Sequence, residues 1–339
     1  MLLPIGKIPS SFLDKLLKKY ASAHENGRLI QGGAIGEDAA VIDVPGSPVY
    51  IVAKTDPITF ATDEIGFYAV NINANDLATR GASPRWFQAT ILLPEGKTTA
   101  ELVEFIFKDI KQACDAVGAS IIGGHTEVTH GLDRPIVVGN MIGEVPKNKL
   151  VLTQGARAGD ALLLTKGIPI EGTAVIAREK AQELNAKGLD PSLLARAKNY
   201  LHDPGISVIK EALLLNERLE VHAMHDPTEG GVTNGVAEMA CASGNGVIVD
   251  LASIPVLPEG KILCGQFNLD PLGTLASGAL LVALPPSQVP SAIRLLAAEG
   301  IAAARIGEFR QGKGILLAQR GKKQEPLHYS EKDELTKIF

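Results

Sequence analysis

The stretch NINANDLA, residues 71–78, places three asparagines and one aspartate inside an apolar segment whose spacing predicts a helix from about Gly66 to Arg80. Asn and Asp form helices poorly, and each costs roughly half a kcal/mol there relative to Ala. Helical spacing puts Asn73 and Asp76 side by side, one turn apart. A solvated helix face would also explain these side chains, but the apolar neighbours leave little room for one. We therefore expect the helix to carry a functional polar surface.

Two segments that contain carboxylates flank the strands before this helix. Gly36-Glu37-Asp38 leads into a predicted strand at Ala39–Val44, and Lys54-Thr55-Asp56 follows the strand-like run Tyr50–Ala53. A single carboxylate in such a turn is more often a turn former, since Asp bonds its own backbone readily. Carboxylates at the ends of adjacent strands can nevertheless converge on one point. Hard oxygen ligands gathered in that way, with water and phosphate, are what Mg²⁺ requires.

A third polar segment, Gly123-Gly124-His125-Thr126-Glu127, follows the apolar run 119–122. Paired glycines after a strand let backbone amides approach a phosphate, and the adjacent hydroxyl and carboxylate can hold a metal or a substrate. A lone histidine is usually structural. Because imidazole titrates near neutral pH, we favour a functional role for His125 over a structural one.

The second half contains one similar segment, HDPTEGGV at residues 225–232. Asp226 or Thr228 is expected to cap a helix that begins near Glu229, and such a capped helix end binds anions readily. Capping does not explain Gly230 and Gly231 in the first helical turn, where each glycine costs about 1 kcal/mol. The two glycines therefore need another reason, which is either a positive φ or close approach to a ligand.

The first half shows the element order β-β-α-β-α-β. Further strands are predicted at Trp86–Leu93 and Ile136–Glu144, and a second helix at about Thr98–Val117. This order predicts a four-strand sheet with helices on one face. The other face needs a cover, which a homodimer packed face to face would supply.

The turn-rich segment Gly155–Asp160 is the predicted domain boundary, because it separates two strand-like runs with glycines and charged residues. We expect an N-terminal domain over residues 1–152 and a C-terminal α/β domain over residues 153–339. The charged stretch from about Gly321 is expected to be loosely held. In the second half, helices are predicted at about 171–186, 191–201, 205–215 and 229–243, and strands at 161–165, 247–250 and 279–283.

The composition excludes several classes of protein. With 339 residues, of which 45% are hydrophobic, the chain can fill two cores. Three scattered cysteines suggest neither a disulfide framework nor a zinc site. A formal net charge of −5 and 4% aromatic residues argue against nucleic acid as a partner. Because there is no run of about 18 apolar residues and no signal peptide, we expect a cytoplasmic protein without a membrane partner.

Several familiar catalytic motifs are missing from the sequence, among them the Walker loop, G-x-G-x-x-G after a first strand, the G-x-S-x-G elbow and H-E-x-x-H. Distributed carboxylates, an Asn-Asp helix and glycine turns indicate phosphoryl transfer instead, which depends mostly on positioning and on neutralising charge. We therefore expect the target to be a small molecule or another protein.

Five motifs in order resemble the aminoimidazole ribonucleotide (AIR) synthetase superfamily over about residues 30–310. They are GEDAAV at 36–41, KTD at 54–56, NDLA with GASP within 75–84, GGHT at 123–126 and DPTEGG at 226–231. The resemblance implies an α+β fold of two domains, with an N-terminal, ferredoxin-like half-barrel that dimerises and a C-terminal α/β domain. It also implies ATP held with Mg²⁺ in the cleft between the domains.

Within the superfamily, HAMHDPTEGG at 222–231, LDPL at 269–272 and TKGIPIEGT at 165–173 resemble the hydrogenase maturation protein HypE and its AIR-synthase-related relatives. By position, the resemblance assigns the metal to Asp38, Asp56 and Asp76, and catalysis to Asp56, Asp76 and His125. The nucleotide-binding residues that it implies are Asp38, Lys54, Thr55, Asn75, Gly123, Gly124, Thr126, Asp226, Gly230 and Gly231.

The maturation protein uses a cysteine at its extreme C-terminus, whereas residues 333–339 read DELTKIF here. We therefore expect ATP-dependent activation of an amide or carbonyl oxygen in another substrate, which is a small molecule or a protein-borne amide. A maturation partner protein is also expected. A small-molecule kinase like thiamine monophosphate kinase is one alternative, and a non-catalytic binding module in an assembly complex is another. The intact aspartates at 38, 56 and 76 count against the binding module.

Overall fold

The computed structural model describes residues 8–21, 27–34, 36–59, 63–321 and 323–339. Their contacts divide the chain into two units. The N-terminal unit comprises Ala23–Gly33 and Asp38–Leu150, and the C-terminal unit comprises Met1–Ser22, Ala34–Glu37 and Val151–Phe339. Each unit is built around one mixed β-sheet. The predicted α+β fold is confirmed.

The helices and strands are numbered in chain order. The helices are α1 Ser10–Tyr20, α2 Ile65–Ala78, α3 Ala100–Val117, α4 Glu171–Glu179, α5 Ala181–Ala186, α6 Pro191–Lys198, α7 Ile209–Arg218, α8 Gly231–Ser243, α9 Pro258–Gln266 and α10 Val289–Ala298. The strands are β1 Leu29–Gln31, β2 Ala40–Asp43, β3 Val49–Ile58, β4 Ser83–Pro94, β5 Ser120–Thr129, β6 Ile136–Pro146, β7 Ala161–Thr165, β8 Ala223–His225, β9 Gly246–Asp250, β10 Leu281–Leu284, β11 Ala303–Arg310, β12 Leu316–Arg320 and β13 Lys323–Pro326. No helix in the described part of the chain is long and apolar enough to cross a membrane.

As far as the structure describes the N-terminal unit, its sheet has six strands in the order β1-β2-β3-β6-β4-β5. Neighbours are antiparallel except β4 and β5, which run parallel. The sequence predicted four strands and missed β1 and β5. Strand β1 has only three residues, too few for a periodic pattern. Strand β5 shows no alternation because almost all of its residues are exposed, and its paired glycines lie inside the strand rather than after it.

Helix α2 is the buried helix of the N-terminal unit. It packs against β3, β4 and β6 on one side and against α3 on another. Its polar residues Asn71, Asn73, Asn75 and Asp76 are buried together with the apolar ones. The alternative of a solvated helix face is therefore wrong, and these polar side chains must find partners inside the unit.

The start of α2 is capped from the neighbouring helix. The amides of Gly66 and Phe67 donate to one carboxylate oxygen of Asp109 in α3, at 2.7 and 3.0 Å. A carboxylate at this end satisfies free amides and complements the helix dipole. Residue 66 must be a glycine at this crossing, since a Cβ there would meet the backbone of Ile110. The cap therefore fixes α2 against α3.

Within the described residues, the sheet of the C-terminal unit has seven strands in the order β13-β12-β9-β11-β7-β10-β8. Strand β7, which lies between β11 and β10, reads ALLLT and is buried along its whole length. An apolar run without alternation is typical of a strand that is covered on both faces. The core around it includes Leu162, Leu164, Leu281 and Phe309.

Several predicted elements of the C-terminal unit need correction. The predicted helix over 171–186 is interrupted at Lys180 and forms α4 and α5. The helix predicted at 205–215 is α7, which begins four residues later at Ile209. The helices α9 and α10 and the strands β8, β11, β12 and β13 were not predicted. These elements are short and are stabilised by contacts with segments far away in the sequence. Their local sequence patterns are therefore weak, which is why they were not predicted.

The stretch after Gly321 differs most from expectation. Strand β13 pairs antiparallel with β12, and Leu335 is buried in a cluster with Leu184, Leu194 and Leu263. The charged composition of this stretch predicted a loosely held segment, but two buried leucines, Leu327 and Leu335, and several backbone hydrogen bonds attach it to the unit.

Gly123 and Gly124 form a matched pair for testing the pairing of β5 with β4. Both have positive φ, 138° and 149°, so an alanine at either position costs about 1–3 kcal/mol in backbone strain. A Cβ at Gly124 would in addition collide with the carbonyl of Ala89, whereas a Cβ at Gly123 meets open space. We expect Gly124→Ala to lower the free energy of unfolding in urea by more than Gly123→Ala. Equal losses would contradict this strand pairing.

Candidate active site

Lys54 lies between two carboxylates of the N-terminal unit. Its Nζ atom is 2.9 Å from Asp76 Oδ2 and 3.1 Å from Asp56 Oδ2. The side chains of Lys54 and Asp76 are 12% and 7% exposed, whereas that of Asp56 is 37% exposed. The structure thus brings together three of the predicted site residues, two from the end of β3 and one from α2.

Two asparagines hold the backbone of β3 at this point. Asn140 of β6 donates through Nδ2 to the carbonyl of Lys54 at 3.2 Å. Asn73 of α2 donates through Nδ2 to the carbonyls of Asp56, at 3.3 Å, and of Ala69, at 2.8 Å. The sequence placed Asn73 beside Asp76 but did not include it among the site residues. The position of Asn73 in the NINANDLA stretch could have identified it as a site residue, whereas no local sequence pattern marks Asn140.

The other predicted residues of this group differ in exposure. Asn75 is fully buried in α2. Asp38 and Thr55 are exposed, and the Thr55 hydroxyl donates to the carbonyl of Gly139 at 2.8 Å. The exposed side chains could meet a ligand directly, whereas a buried amide like that of Asn75 is better placed to support its neighbours.

The charges around Lys54 set its protonation state. Burial alone would lower the pKa of Lys54, but attraction to Asp76, Asp38 and Asp56 outweighs burial and raises the pKa above its ordinary value. Lys54 is therefore a fixed cation at neutral pH, and its stabilising effect is lost only at strongly alkaline pH. Burial raises the pKa of Asp76, against the attraction of Lys54 and with repulsion from Asp38 and Asp56.

The carboxylates near Lys54 fit a magnesium ion that arrives with a nucleotide. Within the described ranges, no three His, Cys, Asp or Glu side chains are grouped so that they could hold a metal ion by themselves. Mg²⁺ commonly takes one or two protein carboxylates and completes its shell with phosphate oxygens and water. Asp38 and Asp56 are exposed enough to serve in this way.

The segment 123–126 does not lie beside Lys54 within one chain. It belongs to the edge strand β5. Gly124 is in register with Asp56 across β4 and β6, so three inter-strand steps separate them. At about 4.8 Å per step, the two residues are about 14 Å apart. The segment 123–126 is therefore separate from the lysine and its carboxylates in this chain.

His125 lies on β5 with an exposed side chain. Its Nε2 atom is 3.1 Å from Oε2 of Glu127, and the two side chains are 65% and 47% exposed. A catalytic role for His125 stays a prediction, and it requires a substrate or a second copy of the chain to cover this strand.

In the C-terminal unit, Asp226 is buried directly after β8. The predicted cap by Asp226 or Thr228 is wrong, because α8 begins at Gly231 and the cap position is Gly230. The Thr228 hydroxyl donates instead to Oε2 of Glu229 at 2.9 Å. Asp226 and Thr228 belong to the turn before the helix rather than to the helix end itself.

The two glycines of this turn are explained by the chain's own packing. Both have positive φ, 79° at Gly230 and 67° at Gly231, and a Cβ at either would collide with backbone atoms of other segments. The amide of Gly230 donates to Asp333 Oδ2 at 2.9 Å, and that of Gly231 to the carbonyl of Thr228 at 3.1 Å. Both amides are thus already satisfied, and a role in nucleotide binding stays a prediction.

Glu171 is a candidate that sequence analysis did not place in the site. It lies at the start of α4 and is 9% exposed. Burial, with repulsion from Glu229 and Asp333, raises the pKa of Glu171 to about 7. Only tertiary packing brings these three carboxyl groups near each other, so no local pattern could have found them.

Two family models match most of this chain. The model of the AIR synthase related protein, N-terminal domain, matches residues 36–145, and that of its C-terminal domain matches residues 157–318. The chain belongs to the AIR synthase related family. The predicted superfamily is confirmed.

Curated relatives of this AIR synthase related protein include two kinds of enzyme. Carbamoyl dehydratase HypE of Cupriavidus necator is 28% identical over 311 residues, which cover 89% of this chain and 83% of the relative. Phosphoribosylformylglycinamidine cyclo-ligase of Geobacillus sp. is 29% identical over 268 residues, which cover 76% of each protein. The chain therefore aligns with most of the length of both relatives.

Solved structures share the fold. The structure of HypE in complex with ATP superposes on this chain with a TM-score of 0.71 at 23% identity. The alignment covers 97% of this chain and 96% of the HypE chain. Thiamine monophosphate kinase from Aquifex aeolicus has a TM-score of 0.69 at 19% identity, with 93% and 98% covered. At these identities the likeness shows the architecture and not the reaction.

Lys54→Met tests the central ion pairs, because it leaves the buried charge of Asp76 without its closest partner. We expect a loss of about 3–5 kcal/mol in the free energy of unfolding at pH 7.5. The loss should shrink at pH 5.5. Burial already raises the pKa of Asp76, so the folded state takes up a proton there as the pH falls and the uncompensated charge disappears. Urea unfolding of the nucleotide-free protein at both pH values measures the effect.

The matched control is the double variant Lys54→Met with Asp76→Asn, which removes both charges. It should recover much of the lost stability and show little difference between pH 7.5 and 5.5. If Lys54→Met is as stable as the wild type at pH 7.5, the ion pair contributes nothing and this description of the site is wrong.

Proposed function

We propose that this protein is a Mg-ATP-dependent enzyme that activates an amide or carbonyl oxygen of its substrate by phosphoryl transfer. The observation that carries the proposal is the buried ammonium of Lys54 between Asp56 and Asp76. A fixed cation with flanking carboxylates can bind phosphate oxygens and a divalent cation at one place. The alignment with carbamoyl dehydratase HypE over most of both chains supports the same reaction class.

In the proposed reaction, a bond forms from the substrate oxygen to the γ-phosphorus of ATP while the bond from that phosphorus to ADP breaks. The oxygen then leaves with inorganic phosphate as the lone pair of the neighbouring nitrogen forms a new bond to carbon, and the nitrogen gives up its protons. Such a transfer needs positioning and charge neutralisation more than covalent chemistry from the protein.

The residues of the N-terminal unit divide this work. Lys54 stays protonated and would neutralise charge on the phosphate oxygens, and we assign Thr55 and Asn75 to assist in binding them. We assign magnesium, which would draw charge from the same oxygens, to Asp38, Asp56 and Asp76. We also propose a catalytic role for Asp56 and Asp76, whose carboxylates lie 3.1 and 2.9 Å from the ammonium of Lys54.

We propose residues 1–152, apart from the stretches of them that belong to the C-terminal unit, as the nucleotide-binding and dimerisation domain, and residues 153–339 as the C-terminal α/β domain. In the second domain, Asp226 is the proposed nucleotide-binding side chain. Gly230 and Gly231 would act by the shape that they give the turn, since their amides already donate within the chain.

A small-molecule kinase is the second candidate, because thiamine monophosphate kinase from Aquifex aeolicus shares the fold. The identity of the product separates the two. Phosphorus NMR of reactions with amides and with thiamine phosphates would show inorganic phosphate together with a dehydrated or cyclised product for oxygen activation. A stable phosphorylated product would show a kinase.

A partner protein fits the same family context. A structure of the HypE-HypF complex has a TM-score of 0.73 to this chain at 24% identity, and we propose a maturation partner that carries a protein-borne amide. A small amide is the alternative substrate. A non-catalytic binding module is supported less, since Lys54, Asp56 and Asp76 form an intact charged group.

Strand β5 supports a homodimer. Among the described strands it pairs on one side only, with β4. Ile121, Ile122 and Val128 on this strand are 40%, 52% and 56% exposed. An exposed edge with apolar side chains is a ready surface for a second copy. Such an interface would also cover His125 and give it a drier environment.

Ile122→Lys tests the dimer, because a charge on β5 would have to be buried in the interface. We expect a dimer for the wild type and a monomer for the variant in analytical ultracentrifugation. Ile262→Lys is the control, since Ile262 in the C-terminal unit is a comparably exposed apolar side chain at 42%. A monomeric wild type, or a dimer that survives Ile122→Lys, would refute this interface.

Asp56→Asn tests nucleotide binding. The variant removes one charge but leaves Lys54 paired with Asp76, so the fold should remain. We expect the affinity for Mg-ATP, measured by titration calorimetry, to fall about tenfold or more, because charged oxygen ligands are lost from the phosphate and metal site.

Asp115→Asn is the matched control, because it makes the same charge change on the exposed surface of α3, where Asp115 pairs with Lys111. It should bind like the wild type. If the folded wild type does not bind Mg-ATP, the proposed function is refuted. If Asp56→Asn binds as tightly as the control, Asp56 is not part of the site.

A further inference from the structure

Residues 330–335 cover the outer side of the double-glycine turn. Asp333 is 8% exposed and accepts a hydrogen bond from the amide of Gly230, with Oδ2 at 2.9 Å. The carbonyl of Ser330 lies so close that a Cβ at residue 230 would collide with it. A segment some hundred positions away in the sequence thus determines the shape of the turn that follows Asp226.

A second segment covers the other side of the turn. A Cβ at Gly231 would collide with the carbonyl of Leu272. Glu334 joins the two covering segments, because its Oε2 accepts a hydrogen bond from the amide of Asp270 at 3.0 Å. The turn is therefore held between residues 270–273 and 330–334.

The covering segment 330–335 is itself anchored. Oδ1 of Asp333 accepts a hydrogen bond from the amide of Leu335 at 2.8 Å and so starts a short 3₁₀ turn. Leu335 is buried in the cluster with Leu184, Leu194 and Leu263. Asp333 thus accepts two hydrogen bonds at once. Its Oδ1 atom bonds the amide of the anchored Leu335, and its Oδ2 atom bonds the amide of Gly230 in the turn.

The surroundings of Asp333 are acidic. Burial, together with repulsion from Glu229 and Glu334, raises the pKa of Asp333 to about 6. The hydrogen bonds from the amides of Leu335 and Gly230 oppose this rise. Glu171 of α4 is the third carboxyl group in range. The carboxyl group therefore changes charge within the pH range in which the protein can be studied. Ionised, it makes charge-assisted hydrogen bonds, about twice as strong as those of a neutral acceptor.

We infer that Asp333 is a positioning residue of the nucleotide site, which through the Gly230 amide holds the turn after Asp226 in its binding shape. This rests on the proposed function, in which Asp226 contacts the nucleotide. Asp333 touches no nucleotide itself. It acts on affinity by keeping the turn in one conformation before binding, so that less order has to be imposed when the ligand arrives.

Calorimetric titration of Mg-ATP into the full chain at pH 7.5 tests this inference. Asp333→Ala should weaken binding about tenfold, and Asp333→Asn, which keeps a neutral acceptor, about threefold. Lys337→Ala is the matched control, because it removes an exposed ion pair of the same stretch without touching Asp333, Gly230 or Asp270. It should bind within about twofold of the wild type.

The pH dependence separates positioning from a merely structural role. Near pH 5.5 the wild-type carboxyl group takes up a proton, so the affinities of the wild type and Asp333→Asn should converge, and this comparison stands even if Asp333→Ala does not fold. Equal binding by wild type, Asp333→Ala and Asp333→Asn at pH 7.5, with all three folded, would overturn the inference while leaving the proposed function intact. So would an equal loss in Lys337→Ala. No binding by the wild type would refute the proposed function and this inference with it.

Discussion

The attraction between one ammonium group and the carboxylates around it makes the N-terminal unit possible. Helix α2 buries Asp76 among apolar residues, and an isolated buried carboxylate would be strongly unfavourable. Lys54 reaches it from β3 at 2.9 Å and supplies the opposite charge. The same contact joins the helix to the sheet, and Asn73 adds a neutral link to the same strand. The buried ion pair that joins α2 to β3 is thus also the one to which we assign phosphate binding.

The sequence predicted the members of this group because each of them conflicts with its local surroundings. Asparagines and an aspartate in an apolar helix, and a lysine and an aspartate at the end of a strand, have no purely local reason to be there. It did not predict that Lys54 would lie between the carboxylates. That arrangement depends on how α2 crosses the sheet, and a pattern within one segment contains no such information.

Two elements were missed for a related physical reason. Strand β5 pairs in parallel with β4, and its exposed residues have no apolar alternation, so its glycines looked like a turn. Residues 330–339 have the charged composition of a loose segment, but one buried leucine and the two-sided carboxylate of Asp333 fix them in place. In both cases the structure of the segment is set by contacts with residues far away in the sequence, which local composition cannot reveal.

The border between the two units passes through the motif Gly36-Glu37-Asp38. Glu37 belongs to the C-terminal unit, where its Oε1 accepts a hydrogen bond from the amide of Gln154 at 2.9 Å, whereas Asp38 belongs to the N-terminal unit. Cutting the gene between codons 152 and 153 would deprive the second half of a buried carboxylate that it needs. Halves made for separate expression would have to share this motif, because the adjacent residues Glu37 and Asp38 belong to different folding units.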